Sequence, residues 1–467
     1  MSRSWIYPNV RILPVAIAAA GLWLWTFAPG VWGGAGSWIV RLASMLLWLW
    51  LTIILFQGSD NRRVLAAPLF LMVTLILWFY IVIPIIAVIT ISAVGQSSLG
   101  DLIVAPTYQG LISGLVDSEG EREILRFSLI GHVLVAWMLP AGADGRGDKP
   151  VSTLRLPRSI ILGIGIFAAV TYIIQRHVGA KIFDHYWNDL DQQINFIVLV
   201  LYVTAFALAA IRWMSRAEGA VLDFVVLSIA AVGPMFFGGT KIVVFALAAT
   251  GFAVALERRS VATAVGSVIL ALLILLSAIT VRQARLNPNL EVFPYFREVL
   301  ASKLVTRQIE TIDCLTGVIR KLPTTHEGRS NPFYFFYGLV PRALWPDKPN
   351  LSQSGKIVIH YCHPDMAPNL NTDHSASGTL LWEPLAFAGV PGQIVAQALT
   401  FLILIVLSRI WINGSSYAAA GVLALTPWTI DFDQHFALYV ANLAKAALVT
   451  CVFLFVLARV GRILRWR

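Results

Sequence analysis

Window after window of this chain runs for about 18 residues or more with almost no charge, which is the signature of transmembrane helices. That property constrains the fold more than any motif does. Of the 467 residues, 58% are hydrophobic and 13% charged, whereas a soluble domain is about a quarter charged. Lipid rather than water is therefore expected around most of the chain. The formal charge of +10 lies largely in short clusters between apolar runs. That pattern fits membrane orientation, and no nucleic-acid partner is expected.

Twelve spans are predicted, near 12–32, 38–57, 64–92, 123–140, 159–175, 194–211, 220–237, 241–256, 260–281, 386–407, 416–430 and 436–458. Pro84 is expected to kink the third. Alternate connections carry the basic residues: Arg3 and Arg11; Arg62 and Arg63; Arg146, Lys149, Arg155 and Arg158; Arg212 and Arg216; Arg258 and Arg259; Arg409; and Arg459 to Arg467. If these face the cytoplasm, both termini are cytoplasmic and the alternation is unbroken. The opposite loops hold Asp184, Asp189, Asp191, Asp431 and Asp433. The first apolar run is too long for a signal-peptide core and is expected to stay as an anchor.

The chain thus divides into nine spans over 1–282, a large outer loop over 283–385, and three spans over 386–467. A connection of roughly 100 residues is expected to fold into a small element or lid. Cys314 and Cys362 both fall in it, where an oxidising compartment would permit a disulfide; Cys451 falls in the last span.

This topology gathers cations on one side. Lys241 ends "FGGTK" (237–241), Arg282 and Arg285 follow the ninth span in "VRQAR" (281–285), and Arg342 and Lys348 lie in "GLVPRALWPDKPN" (338–350). Lys241 and Arg282 flank one helical hairpin, whose ends are about 10 Å apart, close enough to share a polyanion. Pro341, Pro346 and Pro349 each fix a backbone angle, which presents Arg342 and Lys348 at little ordering cost. Trp345 could stack on a sugar or plug the loop. In "DHSASGTLLWEPLAFAGVPG" (373–392), Glu383 stands at an apolar boundary, as a general base or as a helix N-terminal carboxylate, with His374 as a second candidate base. Lys445 is a membrane-depth lysine, and His132 has a weaker version of the same status. The run "HYCHPD" (360–365) matches no closed zinc pattern, so no metal is expected. The sequence has no Walker loop, no G-x-G-x-x-G and no G-x-S-x-G, and its D-x-D spacings, Asp189/Asp191 and Asp431/Asp433, are read as outer-loop charges rather than as a metal and nucleotide-sugar site. A ring of Arg and Lys with one base suits a lipid-linked pyrophosphate.

"LVPRALWPDKP" (339–349) followed by "GTLLWEPLAFAGVPG" (378–392) resembles the Wzy-type oligosaccharide repeat-unit (O-antigen) polymerases and, more distantly, the O-antigen ligases. The resemblance extends to "GGTK" (238–241) and to Arg282, covering about 235–395. The family often has arginine where this chain has Lys241. The resemblance implies an all-α polytopic enzyme of the bacterial inner membrane acting at the periplasmic face without cofactor or metal. It would transfer a glycan from undecaprenyl pyrophosphate to a sugar hydroxyl of another lipid-linked repeat unit, for O-antigen or exopolysaccharide. Arg282, Arg342, Lys241, Lys348 and Arg285 would hold the pyrophosphate, and Glu383 or His374 would activate the acceptor. A chain-length regulator and a flippase would be its partners. Two alternatives stay open: ligation to another acceptor, and a lipid-oligosaccharide flippase or transporter.

Overall fold

The computed structural model describes residues 7–27, 35–57, 62–83, 119–138, 156–182, 189–234, 240–258, 307–321, 333–340, 380–432 and 434–463, with single positions 260, 265, 266, 269, 273, 345 and 347. Among them there is no strand. Helices α1 (Tyr7–Trp25), α2 (Ala35–Gln57), α3 (Arg62–Leu65) and α4 (Pro68–Leu77) lead into α5 (Glu119–Met138), α6 (Arg158–Ile182) and α7 (Asp189–Met214). There follow α8 (Ala220–Ala230), α9 (Thr240–Glu257), α10 (Arg307–Lys321), a 3-10 helix (Tyr334–Leu339), α11 (Glu383–Asn413), α12 (Ser416–Thr429) and α13 (Phe436–Ile463).

Helices fall within every predicted stretch except 260–281, of which only isolated positions are described; 28–32, 84–92, 139–140 and 235–237 lie outside the described residues. The third differs in detail. It does not run unbroken from 64, because Pro68, which lacks an N–H, opens α4 after the separate turn of α3. At its far end the helix widens into a π turn over Trp78–Val82; the expected kink residue, Pro84, lies outside the described residues. Among the described residues, five helices are long and apolar enough to cross a membrane: Trp38–Gln57, Arg158–Gln175, Ile194–Met214, Glu383–Asn413 and Phe436–Val460. The molecule is thus an all-α, membrane-embedded protein.

Exposure follows helical spacing in the sense that lipid demands. On α11 the residues Val390, Ile394, Leu402, Val406 and Ile410 form an exposed apolar stripe at four-residue steps, while Ala396, Thr400, Leu404 and Ser408 face inward. Leu448, Val452, Phe455 and Val456 do the same on α13. Apolar faces of this extent are found on soluble monomers only as interaction surfaces. α7 is the hub: 78% of its apolar window is buried, against 28–39% for the other four. It packs on α6, α8, α9, α12 and α13. Between helices, small polar side chains supply the directional contacts expected in hydrocarbon. The Leu69 N–H donates to Ser408 Oγ at 3.1 Å, Trp48 Nε1 to Thr74 Oγ1 at 3.0 Å, and the hydroxyls of Thr204 and Thr450 approach to 3.4 Å.

The charged contacts sort into two sets at opposite helix ends. At one end Arg63 meets Glu257 at 3.5 Å, Trp411 Nε1 donates to the Arg63 carbonyl at 2.8 Å, and Arg258 donates to the Trp213 carbonyl at 3.0 Å. Arg158 and Arg212 share the buried Asp223 at this end. At the other end Arg41 pairs with Glu121, Arg126 donates to the Thr26 carbonyl at 3.0 Å, Arg320 meets Glu119 at 3.0 Å, and Lys241 pairs with Asp431. The basic residues Arg63, Arg158, Arg212 and Arg258, which the charge alternation groups on one side, all lie in the first set.

Candidate functional site

The site grows from the first turn of α11. Glu383 is its first residue and Pro384 its second, where a missing N–H breaks no helical bond. Six residues on, Gly389 has φ 66° and ψ −163°, a conformation closed to residues with a side chain, and the helix bends there. Gly392 completes the bend. A Cβ at this position would lie 2.8 Å from the Pro384 carbonyl oxygen and 2.4 Å from the Ala388 Cβ. The two glycines thus set a short turn, 383–388, at an angle to the apolar helix that follows.

That turn places Glu383 against the start of α13. The carboxylate Oε2 accepts from the Phe436 N–H, the first backbone donor of α13, and stands 3.9 Å from His435 Nδ1. Glu383 therefore lies at two helix N-termini, its own and that of α13, where the helix dipoles favour a negative charge. The Leu380 N–H donates to the Phe432 carbonyl at 3.2 Å, fixing the same two segments together. Glu383 is 1% exposed.

The 3-10 helix covers it. Tyr334 stacks on Phe387 at 4.9 Å, and Phe335 meets the Phe436 ring edge-on at 5.0 Å. The Tyr334 phenol lies beside the Glu383 carboxylate, close enough to feel its charge, yet Tyr334 Oη and Glu383 Oε1 each lack a hydrogen bond of good geometry. Burial pushes this phenol well above its usual range, and the carboxylate adds to the shift. Tyr334 is therefore a protonated donor at any physiological pH.

Beside this pair lies a second polar group. Asp431, at the end of α12, is 2% exposed and holds both Lys241 and the Gln434 amide, and Asn442 donates to Gln434 at 3.0 Å. A third cluster binds α5 to α11: Gln393 and Gln397 both donate to Glu123 Oε1, at 3.1 and 3.2 Å, while Arg126 meets Glu123 Oε2 at 3.1 Å.

Of the residues singled out from sequence, Glu383, Lys241 and Trp345 are brought to this end of the bundle. Lys241 is already held by Asp431. Trp345 meets Tyr337 edge-on at 5.4 Å, which sets its ring against the 3-10 helix. Lys445 lies elsewhere, exposed on α13 and in line with the outward stripe of Leu448 and Val452. His132 is buried on α5, its Nδ1 2.7 Å from the Ser128 carbonyl oxygen. Cys314 is disulfide-bonded and Cys451 is a free thiol. Arg282, Arg285, Arg342, Lys348, Cys362 and His374 lie outside the described residues. Sequence reasoning does not single out Tyr334 or Gln434, nor the pairing of Lys241 with Asp431. The one local signal for Tyr334 is the aromatic run "FYFFY" (333–337) immediately before the proline motif.

The fold and this cluster define a class, a membrane-embedded helical protein with a buried carboxylate at one end of its bundle. No family model, no curated protein and no solved structure matches the chain.

Proposed function

We propose that the chain is a polymerase of lipid-linked oligosaccharide repeat units in the bacterial inner membrane. In this reading it crosses the membrane twelve times, keeps both termini in the cytoplasm and works at the periplasmic face. The observation that carries the proposal is the meeting of Glu383 with the 3-10 helix that leads into the proline-framed cations. What supports the reading is that the described part of one Wzy-like segment, 380–392, lies against the 3-10 helix whose last residue, Leu339, opens the other, 339–349.

In the proposed reaction a sugar hydroxyl of the acceptor attacks the anomeric carbon of the donor glycan. The bond from that carbon to the pyrophosphate oxygen breaks, and undecaprenyl pyrophosphate leaves. The hydroxyl proton passes to Glu383, whose Oε2 is occupied by the Phe436 N–H, so that Oε1 is the accepting atom. Arg282, Arg342, Lys348 and Arg285 neutralise the departing charge, together with Lys241, which reaches it from its pair with Asp431. Displacement with a single base inverts the anomeric centre, since retention ordinarily uses a second carboxylate as nucleophile. Because Glu383 is buried beneath Tyr334 and Phe335, the acceptor enters only when the 3-10 helix lifts.

The test uses the purified chain in lipid with lipid-linked repeat units and no nucleotide. A ladder of polymer on a gel is expected, and single units alone are expected from Arg342→Ala and Arg282→Ala. If the intact protein yields no ladder but moves the units between leaflets, the transporter alternative replaces this reading. Transfer to a different lipid acceptor would favour ligation.

A further inference from the structure

The 3-10 helix has a second face that the proposed chemistry does not use. With three residues per turn, positions i, i+3 and i+6 fall in line, and the Phe336 N–H indeed donates to the Phe333 carbonyl at 3.0 Å. Phe333, Phe336 and Leu339 accordingly form one ridge, 50%, 49% and 37% exposed, while Tyr334, Phe335 and Gly338 are buried against the bundle. Phe333 and Phe336 lie 6.1 Å apart and nearly parallel. Trp345, held edge-on to Tyr337, adds a fourth large apolar side chain at 36% exposure.

We infer that this ridge is a bilayer-docking surface: Phe333, Phe336, Leu339 and Trp345 insert among the lipid headgroups and upper acyl chains. The height of the ridge supports a lipid occupant. Tyr334 and Phe335, on the opposite face, pack on Phe387 and Phe436, residues in the first turns of α11 and α13. The segment therefore sits at the level where two apolar helices begin. The lipid-facing stripe of α11 starts at Val390, 54% exposed and three residues after Phe387, so apolar surface that faces lipid begins within one turn of the segment's own contact on α11. Aromatic side chains concentrate at this depth. Among the described residues 333–340 there is no charged side chain, as a seat in lipid requires and as a surface in water does not. Lipid on one face and Glu383 on the other make the segment a strap whose seating in the membrane holds Tyr334 over the carboxylate. The inference concerns this surface alone and stands or falls apart from the polymerase reading.

It is tested on the full chain in lipid nanodiscs, in a Cys451→Ser background, with a nitroxide spin label placed in turn at Phe333→Cys, Phe336→Cys and Leu339→Cys. Labels at Leu448→Cys (lipid-facing) and Arg320→Cys (outer region) serve as references. The expected result is a ratio of oxygen to nickel-chelate collisions at the three ridge positions near that of position 448 and well above that of position 320. Ratios at the level of position 320 would overturn the inference. Should one ridge variant fail to fold, the other two report on the same surface.

Discussion

Glu383 has a structural role and a proposed catalytic one, and substitutions separate them. Its Oε2 satisfies the Phe436 N–H inside the protein, so removing it leaves a buried donor unpaired, at about 1–3 kcal/mol. Glu383→Ala should lower thermal stability in detergent by roughly that amount. Glu383→Gln keeps an oxygen that can accept the same N–H and should unfold close to wild type. Both should fail to make polymer if Oε1 takes the acceptor proton; a Gln variant that polymerises normally would leave Glu383 as a helix-capping group alone. Tyr334 gives a prediction of pH dependence. Its folded phenol is held well above the ordinary range, so near pH 10 the unfolded chain releases this proton first. Stability contributed by the neutral phenol is complete below that pH and falls as pH rises above it. Tyr334→Phe removes this contribution, and its unfolding temperature should decline less steeply than wild type between about pH 9 and 11.

At the scale of elements, the bend in α11 is what puts Glu383 against α13. Gly389 occupies a region of φ and ψ that costs a residue with a side chain about 1–3 kcal/mol. Gly389→Ala is therefore expected to shift the turn 383–388 rather than the apolar helix beyond it. The checks are a modest fall in unfolding temperature and a large fall in polymer formed. A loss confined to stability would mean that the bend only shapes the fold. The pair of glycines six and nine residues after Glu383 is legible in the sequence, but its role is not, because a positive φ is a property of the folded backbone. Helix positions are legible for a different reason: long apolar runs leave lipid-embedded backbone few options. The break before Pro68 and the cover of aromatic residues over Glu383 depend on tertiary contacts, and no periodicity reports them.

For the whole molecule, the sorting of charges to two ends is the feature that sequence and structure share most directly. The basic clusters mark one end because they recur in alternate connections. The pairings within each end join residues far apart in the chain, as Arg41 with Glu121 or Lys241 with Asp431. Proximity of that kind is invisible to composition. The two-ended arrangement predicts a labelling pattern. Single cysteines at Arg258 and Glu218, at the end that holds Arg63 and Arg212, should react with a membrane-impermeant maleimide only after the cells are opened. Cysteines at Arg320 and Asp347 should react in intact spheroplasts. Since Arg320 pairs with Glu119 across 201 residues of chain, Glu119→Cys must share the accessibility of Arg320→Cys whichever side that proves to be. Opposite labelling of those two positions would break the arrangement itself. A reversal of all positions together would keep the bundle and move Glu383 to the cytoplasmic face, where a periplasmic polymerase has no use for it.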